Sequence, residues 1–162
     1  MESKNLGEAG ERNVDIIEWF KGEARRDPRR IVLPEGEDER VIKAAGISAK
    51  EGIAHPILLG EKSRIMEKAS DLNLEIENIE IIHPSSSSKL EKYASLYCRI
   101  RKGKGVTEKL AKRILKKNLY FGAMMVRAGD ADGMVAGAAN LTASVIRAGR
   151  LIVGLQKGVS LP

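Results

Sequence analysis

The stretch GMVAGAANLTASVIRAG, residues 133–149, holds residue types that can receive an anion. Gly137, Ala138 and Ala139 keep a turn slim, so that a ligand can approach the backbone closely. Asn140 is suited to cap the helix that follows. The free N–H groups of a first helical turn, added to the helix dipole, attract negative charge. Within that helix Leu141, Val145, Ala148 and Ile152 share one apolar stripe. Arg147 then lies about 120° from the stripe, on the side of Asn140 and Ser144. Its fork of donors matches a phosphate. The same pattern also describes an ordinary capped helix with a solvated Arg, and spacing alone leaves both readings open.

Other reactive residue types resolve into plainer roles. Glu35, Glu37, Asp38 and Glu39 crowd one loop, where carboxylates favour the start of the next helix; no metal site is expected. His55 and His83 each precede Pro and lack partners at ligand spacing, so both read as structural. Cys98 sits beside Tyr97 and reads as a half-buried thiol rather than a nucleophile. GEKS after Leu59 lacks the order and upstream glycine of a phosphate-binding loop. From Arg99 to Lys117, nine cations face one acid, Glu108. That segment reads as solvated helix faces, or as a stripe for a polyanion. With only Tyr97 and Tyr120 flanking it, and Tyr97 on an apolar face, it offers little for stacking bases.

These residues need a frame to position them. A chain of 162 residues, 43% hydrophobic, can bury one core. Its net charge of +6 attracts anions without choosing among them. One cysteine excludes an intrachain disulfide, and no apolar run reaches membrane-spanning length, so a cytoplasmic protein is expected. Periodicity predicts helices over 14–26, across 41–47, in EKSRIMEKASDL, from Leu90 to Ile100 with serines as caps, after Thr107, up to Gly129, and over 141–154. RIVLP, HPILLG, IEIIHP and DGMVAG read as short strands between them. Strands alternating with helices predict an α/β fold, a three-layer, mostly parallel sheet flanked by helices. Residues 1–12 read as a disordered terminus and residues 13–162 as one α/β lobe. Val159 to Leu161 looks like the start of another strand, which suggests a truncated parent.

Taken together, RIVLPEGEDERVIKAA, YCRIRKGKGVT and GAMMVRAGDADGMVAGAANLTASVIRAG resemble the N-terminal half of the phosphotransacetylase family, the phosphate acetyl and butyryl transferases. The likeness runs from about Arg30 to Gly158. It implies one lobe of a two-lobed architecture like that of isocitrate and isopropylmalate dehydrogenases, with the active site between lobes. It also implies acyl transfer between coenzyme A and inorganic phosphate, with no metal or redox cofactor, in a homodimeric parent. The substrates would be acetyl-CoA, phosphate and acetyl phosphate, with no nucleic acid or membrane partner. IRKGKG points to Arg101 and GAANLT with its helix to Arg147 as the cleft arginines, and Asn140, Thr142 and Ser144 as phosphate contacts. The family's His-Ser pair is Asn140-Leu141 here, so a hydroxyl is missing at position 141. The general base and its Ser-Arg neighbours belong to the C-terminal half, so this chain alone is expected to be inactive. The alternative is a non-catalytic module that binds anions or nucleic acid through residues 99–117.

Overall fold

The computed structural model describes residues 15–156, 158 and 159. Asp15 opens the first helix, α1 (Ile16–Arg26), by accepting the Ile17 N–H at 2.9 Å. There follow β1 (Arg29–Leu33), α2 (Glu39–Lys50), β2 (Ala54–Leu59), α3 (Lys62–Asp71) and β3 (Glu80–Ile82). The second half runs through α4 (Leu90–Ile100), α5 (Glu108–Leu115), α6 (Asn118–Ala128), β4 (Gly133–Met134) and α7 (Thr142–Ala148). α7 passes directly into a π-helical turn, Gly149–Val153.

Among the described residues the sheet has four strands in the order β3-β2-β1-β4, and every pairing is parallel. Val32 stands opposite Ile57 on one side of β1 and Met134 on the other. The pleat separates the core into two layers. Leu58 points to the face of α2 and α3, where it packs with Ile42, Ala45, Ile65 and Ala69. Ile57, Leu59 and Val32 point to the opposite face, against Tyr93, Ala111, Phe121 and Met124 of α4 to α6. A sheet buried on both sides needs apolar residues at successive strand positions, and HPILL supplies them. The predicted three-layer α/β fold is the fold observed.

The winding has a consequence for function. From β1 the chain moves outward to β2 and β3, then returns to lay β4 on the other flank of β1. Strand order therefore reverses between β1 and β4, and the loops leaving their carboxyl ends diverge to leave a crevice.

Several local expectations change. The serines before α4 do not cap it: its cap residue is Lys89, whose N–H goes to Ser87 Oγ at 3.2 Å, after a 3₁₀ turn over Pro84–Ser86. Strand β4 keeps only two residues of DGMVAG. The helix expected over 141–154 begins at Thr142 and turns π-helical at Gly149. Leu141, expected in the buried stripe, is the extended cap residue and is 78% exposed, while Ala148 and Ile152 are buried as expected. Thr107 does cap α5, and Gly129 in the left-handed region ends α6. The segment 1–12 and positions 160–161 of the expected last strand lie outside the described residues. No helix among the described residues is long and apolar enough to cross a membrane.

Candidate active site

Two cavities meet at the crevice, and Arg147 lines both. The first, about 990 Å³, lies under the loop after β1 and is walled by Glu37, Asp38 and Arg40 on one side and Asn140, Ser144 and Arg147 on the other. The second, about 910 Å³, is lined by Arg101, Lys104, Arg147 and Arg150 over an apolar floor that includes Ile146 and Leu151. Four cations and no carboxylate line this second space. None of the four enters an ion pair with another described residue. Cations gathered without acids repel one another, and a multiply charged anion relieves that repulsion.

Arg101 reaches the cavity because α4 stops there. It is the C-cap residue, its N–H bonding Tyr97 O at 2.9 Å, and its carbonyl accepts the Lys104 N–H at 3.0 Å in a tight turn. Gly103 and Gly105, at φ 79° and 70°, permit that turn where a side chain would be strained. The Arg101 Nε is buried and has no hydrogen-bond partner among the described residues. Such a donor is costly unless something accepts from it. Burial pushes the Tyr97 phenol up, and the neighbouring Arg101 guanidinium partly opposes that.

The amides of the turn before α7, over 137–140, are not open. Glu35, from the loop after β1, occupies them, while the first-turn amides of α7, the ones expected to attract an anion, are not among its partners. Its Oε2 accepts the N–H of Gly137 at 2.9 Å and Ala138 at 2.8 Å; its Oε1 accepts Ala139 at 2.9 Å and Asn140 at 2.5 Å. The Asn140 side-chain amide adds a fifth bond to Oε1 at 2.8 Å. Asn140 is therefore a donor to Glu35 and not the helix cap, and α7 starts one residue later than expected. Burial pushes the Glu35 carboxyl up, but the N–H groups of Ala139, Asn140 and Ala138 outweigh it and hold the group at about 2.

Of the other acidic residues of that loop, Asp38 and Glu39 open α2 as expected, whereas Glu37 turns to the start of α3, accepting the Glu61 N–H at 3.1 Å. Asp38 caps α2 through the Arg40 N–H at 2.9 Å, and pairs with the Arg40 guanidinium. Sequence reasoning placed Glu35 with them and missed its partner, because the partner is a backbone turn 102 to 105 residues away. The available signal was a turn of small residues with free amides, which calls for an anion from somewhere.

Arg101 and Arg147, proposed from distant motifs, thus line one cavity. Ser144 and Asn140 line the adjoining one with Arg147, and Thr142 lines neither. The basic segment 99–117 also divides. Arg101 and Lys104 face the Arg147 cavity, whereas Lys109, Lys112, Arg113 and Lys116 line a separate groove of about 560 Å³. Within that groove Lys112 is already paired with Glu91.

Fold and crevice together define an α/β protein with a cation-bearing crevice at the switch point of a parallel sheet. The family model described as Phosphate acetyl/butaryl transferase matches residues 15–162, and the chain belongs to that family. It is 40% identical over 148 residues to the phosphate acetyltransferase of Clostridium acetobutylicum, covering 91% of this chain and 44% of that protein. With the phosphate acetyltransferase of Thermoanaerobacterium thermosaccharolyticum it shares 43% identity, again over 91% of this chain and 44% of the relative. Among solved structures, EutD phosphotransacetylase from Staphylococcus aureus superposes with TM-score 0.84 at 39% identity, covering 91% of this chain and 44% of that one. A phosphotransacetylase from Streptococcus pyogenes gives 0.82 at 34% identity, over 90% and 45%. The chain thus spans less than half the length of these relatives.

Proposed function

We propose that this chain supplies the phosphate-binding part of a phosphate acyltransferase, a phosphate acetyltransferase by its relatives, which moves an acyl group between coenzyme A and inorganic phosphate. The observation that carries the reading is the acid-free cavity shared by Arg101 and Arg147. In the forward direction the coenzyme A thiolate attacks the carbonyl carbon of the acyl phosphate. A carbon–sulfur bond forms, the carbonyl π electrons move to oxygen, and the collapsing intermediate expels phosphate with the electrons of the carbon–oxygen bond.

Charge builds on the carbonyl oxygen and on the departing phosphate. Guanidinium groups held beside them stabilise the transition state more than the ground state. Arginine suits the task because it stays protonated throughout and grips two phosphate oxygens at once. The proton leaving the thiol needs a base, which in this reading comes from a part of the protein beyond this chain. No resident metal or redox cofactor is required, since the cations of the cavity do the neutralising.

The test is formation of acetyl-CoA from acetyl phosphate by a protein of the relatives' full length that carries this segment. Arg101→Ala and Arg147→Ala are each expected to lower kcat/KM about 10²-fold or more with the circular dichroism spectrum unchanged. Wild-type rates in both variants would overturn the reading. The 162-residue chain alone is expected to give no turnover.

A further inference from the structure

The turn over 137–140 has little of its own to fix its shape. Strand β4 ends at Met134, and the next sheet contact is the Val135 N–H to Val32 O at 3.1 Å. Gly137, Ala138 and Ala139 are exposed and nearly without side chains, so no apolar burial anchors them. Gly137 sits at φ 117°, outside the range other residues favour. The Glu35 carboxylate gathers four successive N–H groups and one side-chain amide into a single concave seat. Arg40, itself paired with Asp38, holds the carbonyl side through Ala138 O at 2.5 Å.

Glu35 is fixed in turn from behind. The Gly36 N–H bonds Leu59 O at 3.1 Å, and the Asp38 N–H bonds Glu35 O at 2.9 Å. The loop lies so close to β2 that a Cβ at Gly36 would stand 2.7 Å from Leu59 O. The seat leads through Leu141 straight into α7, the helix that bears Arg147.

We propose that Glu35 is a positioning residue for the phosphate site: its carboxylate fills the anion seat of the 137–140 turn, so that α7 and Arg147 are set before any substrate arrives. A substrate phosphate then cannot take the seat and is left to the guanidinium groups. That functional consequence rests on the acyl-transfer reading; the ordering of the turn does not.

The test uses the 162-residue chain, labelled with ¹⁵N and followed by nuclear magnetic resonance. Glu35→Gln keeps the size of the side chain but replaces one acceptor oxygen by a donor that faces two N–H groups. Amide exchange at Ala138, Ala139 and Asn140 is expected to quicken by about tenfold or more, with Val32, Leu58 and Met124 as protected as before. The Arg147 Nε resonance is expected to shift as well. In Glu35→Ala, added formate is expected to enter the vacated seat and restore both signals, a rescue that a merely structural role would not give.

Unchanged exchange at 138–140, loss of protection spread evenly through β1 and α6, or failure of formate to act would each overturn the proposal. Should Glu35→Gln not fold, Glu35→Asp keeps the charge with a shorter reach, and faster exchange confined to 138–140 is the expected result; evenly spread loss would overturn it. An intact protein that makes no acetyl-CoA while these signals behave as expected would sink the acyl-transfer reading alone.

Discussion

Glu35 is 8% exposed, and a carboxylate so buried persists only if its lone pairs are met. Five N–H donors meet them, and they hold its acid constant at about 2, below its ordinary 4.5. A folded value below the unfolded one means that the stabilisation is fully present above pH 4.5 and is lost as pH falls through about 2. Protection of the 138–140 amides is accordingly expected to stay level from neutral pH down to about 4.5 and to decline toward 2. A Glu35 carboxyl resonance titrating near 4.5 would contradict this. Tyr93 is another buried polar anchor. Its hydroxyl donates to Asp130 at 2.5 Å, and that bond, with Lys89 beside it, lowers the Asp130 carboxyl. Tyr93→Phe is expected to cost about 1.5–3 kcal/mol in urea unfolding, and a change within error would show the bond to be idle.

Close backbone approach decides how the elements sit. Gly122 brings α6 down on the sheet, where an added Cβ would meet Met134 Sδ at 3.2 Å and Leu59 Cδ1 and Val32 Cγ2 at 3.4 Å. Gly122→Val is expected to lift the helix and cost about 1–3 kcal/mol of stability, measured by thermal or urea unfolding; a neutral result would show that the layers have slack. Gly36→Ala is expected to push the Glu35 loop off β2 and to speed exchange at 138–140, because its Cβ would clash with backbone rather than with a pliable side chain. Much of this architecture is legible in the sequence. The apolar run ILL in β2, the Thr107 cap and Gly129 announce their elements through local chemistry. The start of α7 does not, because Glu35, which sequence separation hides, engages both the Asn140 N–H and its side-chain amide, so that Asn140 does not serve as the cap. The burial of Leu141 failed for the same reason: shifting the start by one residue turned it outward. Arg101 and Arg147 were named by motif, but their sharing of a cavity depends on α4 ending beside α7, which periodicity alone cannot express.

For the molecule as a whole, α1 is the exception to a well-buried fold. None of its residues is buried, and Ile16, Ile17, Trp19 and Phe20 are each at least 50% exposed. It is tied down by charge instead, with Lys21 and Arg25 on Glu51 at 3.0 and 3.2 Å. Trp19 is the single tryptophan of the chain, so its emission is expected to be red-shifted and quenched by iodide; blue-shifted, unquenched emission would show that face to be covered. The cationic cavity lies between the turn that ends α4, on one side, and α7 with its π-helical turn, on the other, and shares Arg147 with the cavity at the sheet's switch point. Whether its arginines act on one phosphate is answered most directly by a double-mutant cycle on kcat/KM for acetyl phosphate, in a protein of the relatives' full length, with Arg101→Ala, Arg147→Ala and the pair. If both grip the same group, the double variant loses much less than the product of the single losses. Losses that multiply independently, or single variants as fast as the wild type, would contradict a shared site.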